Sequence, residues 1–227
     1  MDLLDFVRGP GLTFALIVFV LGTGWRLLHL LRRPRKPDLS PAREGAPGPG
    51  EGALRNIPRG LWPRQAFGPV AQFAAVNAYV FHVGLALVFF GYAPHIAFIH
   101  RVTGLSWPAL PDAVMVVAAG ATILSLLLAL MARLSNPVRQ KISNADDLIT
   151  WTITFLPLVT GMAILIEPSS TILARDHAIY RGPLAVHLLS LELLLVWFPF
   201  GKLMHAFLFA FSRGATGMRL SHRGVRP

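Results

Sequence analysis

The segment from Leu184 to Phe211 is an apolar run long enough to cross a lipid bilayer, and it contains two histidines, His187 and His205. In one continuous α-helix their separation of eighteen residues makes five whole turns, so both imidazoles would lie on one face, about 27 Å apart along the axis. Histidine is costly inside a membrane and marks a functional site there by default. The run therefore predicts a membrane helix that carries two ligand-type side chains near opposite surfaces of the bilayer.

The composition extends this prediction to the whole chain. Of its 227 residues, 54% are hydrophobic and only 14% are charged, which is too apolar for a soluble domain of this size. We expect an all-α integral membrane protein, a single membrane domain in which five transmembrane helices form a bundle. The five apolar stretches lie at about 11–31, 70–99, 113–132, 148–166 and 184–211.

The distribution of basic residues predicts the orientation of the bundle. The formal net charge is +10, and 15 lysines and arginines fall in segments 32–68, 133–147 and 212–227, which lie on one side of the membrane if the five spans alternate. Only four fall in the segments on the other side. The positive-inside rule then places the N-terminus outside and the C-terminus in the cytoplasm. We expect a multi-pass protein of the bacterial inner membrane. The basic residues determine topology, and we expect no nucleic-acid partner.

The segments around the first span predict a retained helix and a long loop. A short acidic head precedes this span and a basic run follows it, which is the reverse of a cleaved signal peptide. Residues 37–68 are rich in proline, glycine, arginine and alanine, a composition that predicts a cytoplasmic loop with little regular structure. Residues 212–227 predict a basic cytoplasmic tail.

Four histidines in the second and fifth spans occur at matching depths. The second span runs outward and the fifth runs inward, so His95 pairs with His187 in the outer half and His82 pairs with His205 in the inner half. Two such pairs suit two low-spin b haems, each iron being held by imidazole on both sides. Since the chain has no cysteine, haem must bind non-covalently, and any iron–sulfur cluster must belong to a partner.

A regular second span would not present both of its histidines on one face. His82 and His95 are thirteen residues apart, about 140° from a common face. Pro94 removes a backbone hydrogen bond and can kink or re-phase the helix there, and Pro199 can do the same in the fifth span. His100, eighteen residues after His82, is an alternative outer ligand that adjoins the water boundary.

Three charged residues lie within the apolar spans. Glu192 is a carboxylate on the fifth span that can hydrogen-bond another helix or handle a quinol proton. Lys202 and Arg26 lie near the inner ends of their spans, where each can neutralise a haem propionate or extend to the membrane surface.

Three segments of the chain resemble one family of membrane proteins. They are FHVG at 81–84, NPVRQKISNADDLI at 136–149 and VHLLSLELLLVWFPFGKLMHAF at 186–207. With them the chain resembles the gamma subunit of respiratory nitrate reductase, a di-haem cytochrome b membrane subunit, over most of its length. The segments APHI at 93–96 and GLSWPALPD at 104–112 are more similar to the branch found with sulfur-metabolism and heterodisulfide-reductase-like complexes.

The resemblance implies that the four histidines of the second and fifth spans bind two b haems. It implies a subunit that oxidises menaquinol or ubiquinol near the outer haem and passes electrons through the inner haem to a cytoplasmic iron–sulfur protein, which serves a catalytic subunit. The chain would be the quinol-oxidising cytochrome b subunit of a multi-subunit respiratory oxidoreductase, without terminal catalysis of its own. We expect the quinol site among His100, Arg101, Trp107 and Glu192.

Three alternatives stay open from the sequence. The same electron path can run in reverse, from a cytoplasmic donor to quinone, because the direction depends on reduction potentials. A haem-free membrane anchor or scaffold would need none of the four histidines as ligands. A small transporter would usually show internal repeats or paired interrupted helices that carry polar groups, and the sequence shows neither.

Overall fold

The computed structural model describes residues 2–34, 38–61, 68–165 and 181–225, and these ranges are all-helical. The predicted outer loop at 167–183 therefore lies mostly outside the described residues. The α-helices in chain order are α1 (Leu3–Arg8), α2 (Pro10–Arg32), α3 (Pro49–Arg59), α4 (Gly68–Gly91), α5 (Ala93–Thr103), α6 (Asp112–Leu134), α7 (Pro137–Lys141), α8 (Ala145–Ile164), α9 (Arg181–Trp197) and α10 (His205–His222), with a 3-10 helix at Lys202–Met204.

Four candidate membrane spans are present among the described residues. They are α1 together with α2, then α4, α6 and α8, and each is long and apolar enough to cross a bilayer. A fifth span exists if α9 and α10, which are separated by a bend, count as one. These helices agree with the predicted multi-pass membrane protein and give it four or five spans.

Large apolar side chains project outward along these helices. Val117 on α6 is 72% exposed and Leu21 on α2 is 67% exposed. In water such surfaces would be unfavourable, whereas lipid tails are an apolar solvent for them. The exposed apolar surface is therefore the lipid-facing surface expected of membrane helices.

The second span is broken, as Pro94 indicated. α4 ends at Gly91, Tyr92 has an extended backbone with φ −81° and ψ 128°, and α5 begins at Ala93 with Pro94 in its first turn. Proline fits the first turn of a helix because its missing N–H would have no intrahelical acceptor there. The break changes the helical phase between the two histidines of this span.

The fifth span is not the continuous helix that the apolar run predicts. α9 ends at Trp197, residues 198–201 form a turn that contains the buried Pro199, and α10 begins only at His205. The prediction that His187 and His205 share one face of one helix, about 27 Å apart, is therefore wrong. The physical reason is Pro199, which has no N–H to continue the helical hydrogen bonds.

The segments predicted as a loop and a tail also contain helices. α3 forms within residues 37–68, and α10 continues to His222, well into the segment 212–227. The prediction of little regular structure in residues 37–68 is therefore wrong where α3 forms, and the predicted basic tail is helical as far as His222. Composition misled because proline at the first position of α3 and glycine at its end favour helix termini, and because tertiary contacts stabilise the helix between them.

The chain forms two compact units, and α3 belongs to the second, which comprises Val20–Gln72 and Phe198–Pro227. In this unit α3 packs on α10 with Gly52 against Gly217, where a Cβ atom on Gly52 would lie 2.7 Å from the Gly217 carbonyl oxygen. The Asn56 side chain donates to the Arg213 carbonyl oxygen at 2.7 Å. Close backbone contact and a buried hydrogen bond thus hold α3 in place.

The loop before α3 is fixed to the end of α10. The Arg43 N–H donates to the His222 carbonyl oxygen at 3.0 Å. Arg223 pairs with Asp38, with Nε 3.2 Å from Oδ2. Hydrogen bonds from Ser40 and the nearby Arg223 guanidinium lower the pKa of the Asp38 carboxyl to about 2, so this residue is ionised at neutral pH.

The first unit comprises Met1–Phe19 and Phe73–Trp197 and contains most of the candidate spans. In it α1 packs on α9 through Leu4, Val7 and Ala185, and α8 packs on both α6 and α9. The NPVRQKISNADDLI segment forms the α6–α8 connection, in which the side chains of Asn136 and Asn144 cap α7 and α8. That segment of the resemblance therefore has a structural role.

Candidate metal centre

Two of the four predicted ligands, His95 on α5 and His187 on α9, face each other in the first unit. Their ring centroids are 6.3 Å apart and their ring planes differ by 14°. Two imidazoles that share one metal ion, with metal–nitrogen bonds of about 2 Å each, would have their centroids about 6 Å apart. The observed separation therefore fits a metal ion held between the two rings.

The broken second span directs His95 towards this partner. His95 Nδ1 lies 3.0 Å from the Val88 carbonyl oxygen near the end of α4. Its ring also contacts the aromatic rings of Tyr92 and Phe89, at centroid distances of 5.3 and 5.7 Å. The ring is thus oriented by groups on both sides of the break.

His187 is oriented by two residues of α8. Its Nδ1 lies 3.1 Å from Thr160 Oγ1. Gly161 leaves room for the ring, because a Cβ atom there would lie only 3.0 Å from His187 Cε1. Ser190, on the same helix as His187, donates to the His187 carbonyl oxygen and also lies 3.1 Å from the Thr160 hydroxyl.

These hydrogen bonds indicate which ring nitrogen of each histidine is available. A carbonyl oxygen only accepts, so His95 Nδ1 must carry the proton that it shares with Val88. Thr160 uses its own hydroxyl proton on the Leu156 carbonyl oxygen at 2.7 Å, so it accepts from His187 Nδ1. Metal-binding histidines typically donate the second ring N–H in this way, which leaves Nε2 as the ligand atom. Both histidines therefore fit the chemistry of metal ligands that bind through Nε2.

His100, the alternative to His95, lies elsewhere on α5. It is exposed, and its Nδ1 lies 3.2 Å from the Gly104 carbonyl oxygen at the end of the helix. Arg101 beside it is exposed as well. Of the two candidates on this helix, His95 is the one that the structure brings to His187.

The predicted inner pair is divided between the two compact units. His82 belongs to the first unit and His205 to the second, so their pairing stays a prediction. Each has an Nδ1 close to a backbone carbonyl oxygen, of Ala78 at 2.7 Å and of Lys202 at 2.8 Å respectively. Lys202 and Arg26 are exposed in the second unit, and their predicted role beside a haem propionate is likewise untested by these contacts.

The remaining two residues of the predicted quinol site have different surroundings. Glu192 on α9 is buried, with 6% of its surface exposed, and its Oε1 has no hydrogen-bond partner among the described residues. It lies against Gly11 of α2, where a Cβ atom would come within 2.9 Å of Oε2. Trp107, in the loop between α5 and α6, donates from Nε1 to the Phe90 carbonyl oxygen at 2.6 Å.

Residues that the sequence did not single out complete the surroundings of the histidine pair. Thr160, Gly161 and Ser190 contact His187, and Tyr92 contacts His95. Hydroxyl and glycine residues are frequent in membrane helices, so their presence alone carries little signal. The one sequence feature that could have indicated these contacts is the pair Thr160 and Gly161, two small residues in an otherwise bulky fourth span.

Comparison with known proteins gives one relative over nearly the full chain. The sequence is 31% identical, over an alignment 228 positions long, to a protein of Nitratidesulfovibrio vulgaris, and the alignment covers 94% of this chain and 91% of that protein. The chain belongs to the same family as that protein. No protein-family profile matches the chain, and no solved structure matches it. The similarity to this relative therefore extends over nearly the whole length of both proteins.

Proposed function

We propose that this protein is the di-haem b membrane subunit of a respiratory oxidoreductase, related to the gamma subunit of respiratory nitrate reductase. It oxidises quinol near the outer membrane face and delivers electrons to a cytoplasmic iron–sulfur partner. The observation that carries the proposal is the His95–His187 pair, two facing imidazoles inside a bundle of apolar helices. The orientation with the N-terminus outside rests on the distribution of basic residues. The bacterial inner membrane is what the resemblance to the nitrate reductase subunit implies.

The residues of the pair suit a b haem better than a hydrolytic metal site. A hydrolytic zinc site typically has three protein ligands, whereas a haem iron would need only two imidazoles because the porphyrin would supply its other ligands. Haem b, when bound, supplies reversible one-electron transfer. His95 and His187 would hold the haem iron, and Val88 and Thr160 would fix the orientation of their rings through Nδ1. The second haem, on His82 and His205, is supported by the sequence alone.

The test is haem content in the purified protein. Dithionite-reduced minus oxidised spectra with pyridine haemochrome quantitation are expected to give two b haems per chain, falling towards one in His95→Ala and in His187→Ala. His100→Ala is expected to keep both. Loss of haem in His100→Ala but not in His95→Ala would assign the outer ligand to the exposed His100 in place of His95. A folded wild-type protein without haem would overturn the proposal and favour the scaffold alternative.

Quinol oxidation is tested separately on the residues proposed for it. Glu192→Gln keeps the shape of the side chain and removes the carboxylate, and Arg101→Ala removes an exposed cation near the end of α5. We expect both variants to keep two haems and to slow haem reduction by a menaquinol or ubiquinol analogue. Unchanged reduction rates in both variants would remove these residues from the quinol site. Reduction by a cytoplasmic donor, and not by quinol, would favour the reverse direction.

A further inference from the structure

The break in the second span leaves backbone carbonyl groups without their helical donors. In a continuous helix the Phe90 carbonyl oxygen would accept from the N–H of residue 94, but that residue is Pro94, which has none. The Gly91 carbonyl oxygen would accept from the N–H of His95, but the extended backbone of Tyr92 interrupts the helix between them. An unpaired carbonyl group inside a membrane is unfavourable, because lipid offers it no hydrogen-bond donor. These groups therefore need other partners.

The loop after α5 supplies two of the missing donors. Trp107 Nε1 donates to the Phe90 carbonyl oxygen at 2.6 Å, and the Leu110 N–H donates to the Gly91 carbonyl oxygen at 2.8 Å. The Trp107 ring also contacts the Phe90 ring at a centroid distance of 6.1 Å. The glycine at position 91 permits this approach, because a Cβ atom there would lie 2.7 Å from Leu110 Cδ1.

His95 also forms a hydrogen bond with the end of α4. Its Nδ1–H donates to the Val88 carbonyl oxygen, and its ring packs edge-on against Tyr92. The loop residues and the metal ligand thus satisfy neighbouring carbonyls, of Phe90, Gly91 and Val88, at one helix end. A change in the loop contact would therefore alter the backbone that sets the direction of the His95 ring.

We infer that Trp107 is a positioning residue for the histidine pair: its indole N–H replaces the N–H that Pro94 lacks and holds the break that aims His95 at His187. This inference rests on the proposed function, since it assigns to Trp107 a part in holding haem at that pair. It also gives the loop Gly104–Pro111 a role distinct from quinol binding.

The test removes the N–H and keeps an aromatic ring, as in Trp107→Phe. The matched control is Trp151→Phe, which loses an equivalent bond from Trp151 Nε1 to the Leu126 carbonyl oxygen at 2.8 Å, between α8 and α6. Haem transfer to excess apomyoglobin is measured for both. Because one hydrogen bond contributes about 1 kcal/mol, we expect one of the two haems to leave Trp107→Phe roughly five- to tenfold faster than wild type. Trp151→Phe is expected to match wild type.

A second readout separates positioning from general loosening of the fold. The electron paramagnetic resonance spectrum of the oxidised protein reports the angle between the two axial imidazole planes, and we expect Trp107→Phe alone to change the signal of one haem. A tryptophan analogue with sulfur in place of Nε1, incorporated at position 107, removes the N–H without changing the ring system and is expected to act like Trp107→Phe.

The outcomes distinguish this inference from the proposed function. Two haems in wild type, with equal transfer rates and spectra in wild type, Trp107→Phe and the analogue, would overturn the positioning role and leave the di-haem proposal intact. A haem-free wild type would overturn both. Equal acceleration in Trp107→Phe and Trp151→Phe would show a general effect of lost indole bonds and would also overturn the inference.

Discussion

At the scale of single residues, Gly161 controls the space available to His187. A Cβ atom on Gly161 would approach His187 Cε1 to 3.0 Å, closer than ordinary van der Waals contact. Gly161→Val is therefore expected to displace the ring and to lower the haem content from two towards one per chain, as measured by pyridine haemochrome. In the control Gly120→Val, the nearest atom to the added Cβ is Met162 Cε at 3.8 Å, and both haems are expected to stay. Equal haem contents would contradict this reading of the site.

The near-parallel rings of His95 and His187 make a spectroscopic prediction. Their planes differ by 14°. Axial imidazoles with nearly parallel planes give a rhombic low-spin ferric signal, whereas perpendicular planes give a strongly anisotropic one. We expect one of the two haems in the oxidised protein to give a rhombic spectrum that disappears in His95→Ala. Two strongly anisotropic signals in wild type would contradict the ring geometry.

The sequence allowed part of this site to be predicted. Matching the depths of antiparallel spans paired His95 with His187, and the two rings do face each other. An ideal helix would have turned His95 away from its partner, and only the break at Tyr92 changes the phase. The contacts of Thr160 and Trp107 could not be predicted, because they depend on how α8 and the loop pack in three dimensions.

At the scale of helices, α3 offers two glycines that test what holds it on α10. A Cβ atom on Gly52 would lie 2.7 Å from the Gly217 carbonyl oxygen, whereas Gly50 has open space around it. Gly50→Ala is expected to stabilise the helix by about 0.5–1 kcal/mol through backbone entropy, while Gly52→Ala separates the helices despite the same gain. Trypsin cleavage after Arg55 and Arg59 is expected to slow slightly in Gly50→Ala and to accelerate in Gly52→Ala. Slower cleavage in both variants would contradict the close helix contact.

Apolar runs predicted the candidate spans because crossing a bilayer demands about twenty apolar residues, a requirement visible in any sequence. They did not predict where α9 ends, since the residues on both sides of Pro199 are equally apolar. Nor did composition predict α3, whose stability comes from Asn56 and Gly52 contacts with a segment far along the chain. The apolar composition of a segment thus predicts whether it lies in lipid, whereas α3 depends on contacts with a segment far along the chain.

At the scale of the whole molecule, the absence of cysteine gives a direct test of topology. Single cysteines at Thr103, at the exposed end of α5, and at the exposed Glu44 can be labelled without background. We expect a membrane-impermeant maleimide to label Thr103→Cys in intact spheroplasts, and Glu44→Cys only after lysis. The opposite pattern would reverse the proposed orientation. Labelling of both sites in intact spheroplasts would contradict it as well.

The second unit is built from two distant parts of the chain, and this has a consequence for its biosynthesis. Its two parts, Val20–Gln72 and Phe198–Pro227, lie at opposite ends of the chain, and the bonds between them join residues 157 to 185 positions apart. During translation, the segment with α3 leaves the ribosome long before α10 exists, so it must wait without its partner while all the intervening spans are inserted. A ribosome that stalls before residue 205 would release a chain whose membrane spans are largely made but whose α3 has nothing to pack on. A chain truncated before α10 is therefore expected to expose α3 to proteolysis, because its helical partner is missing.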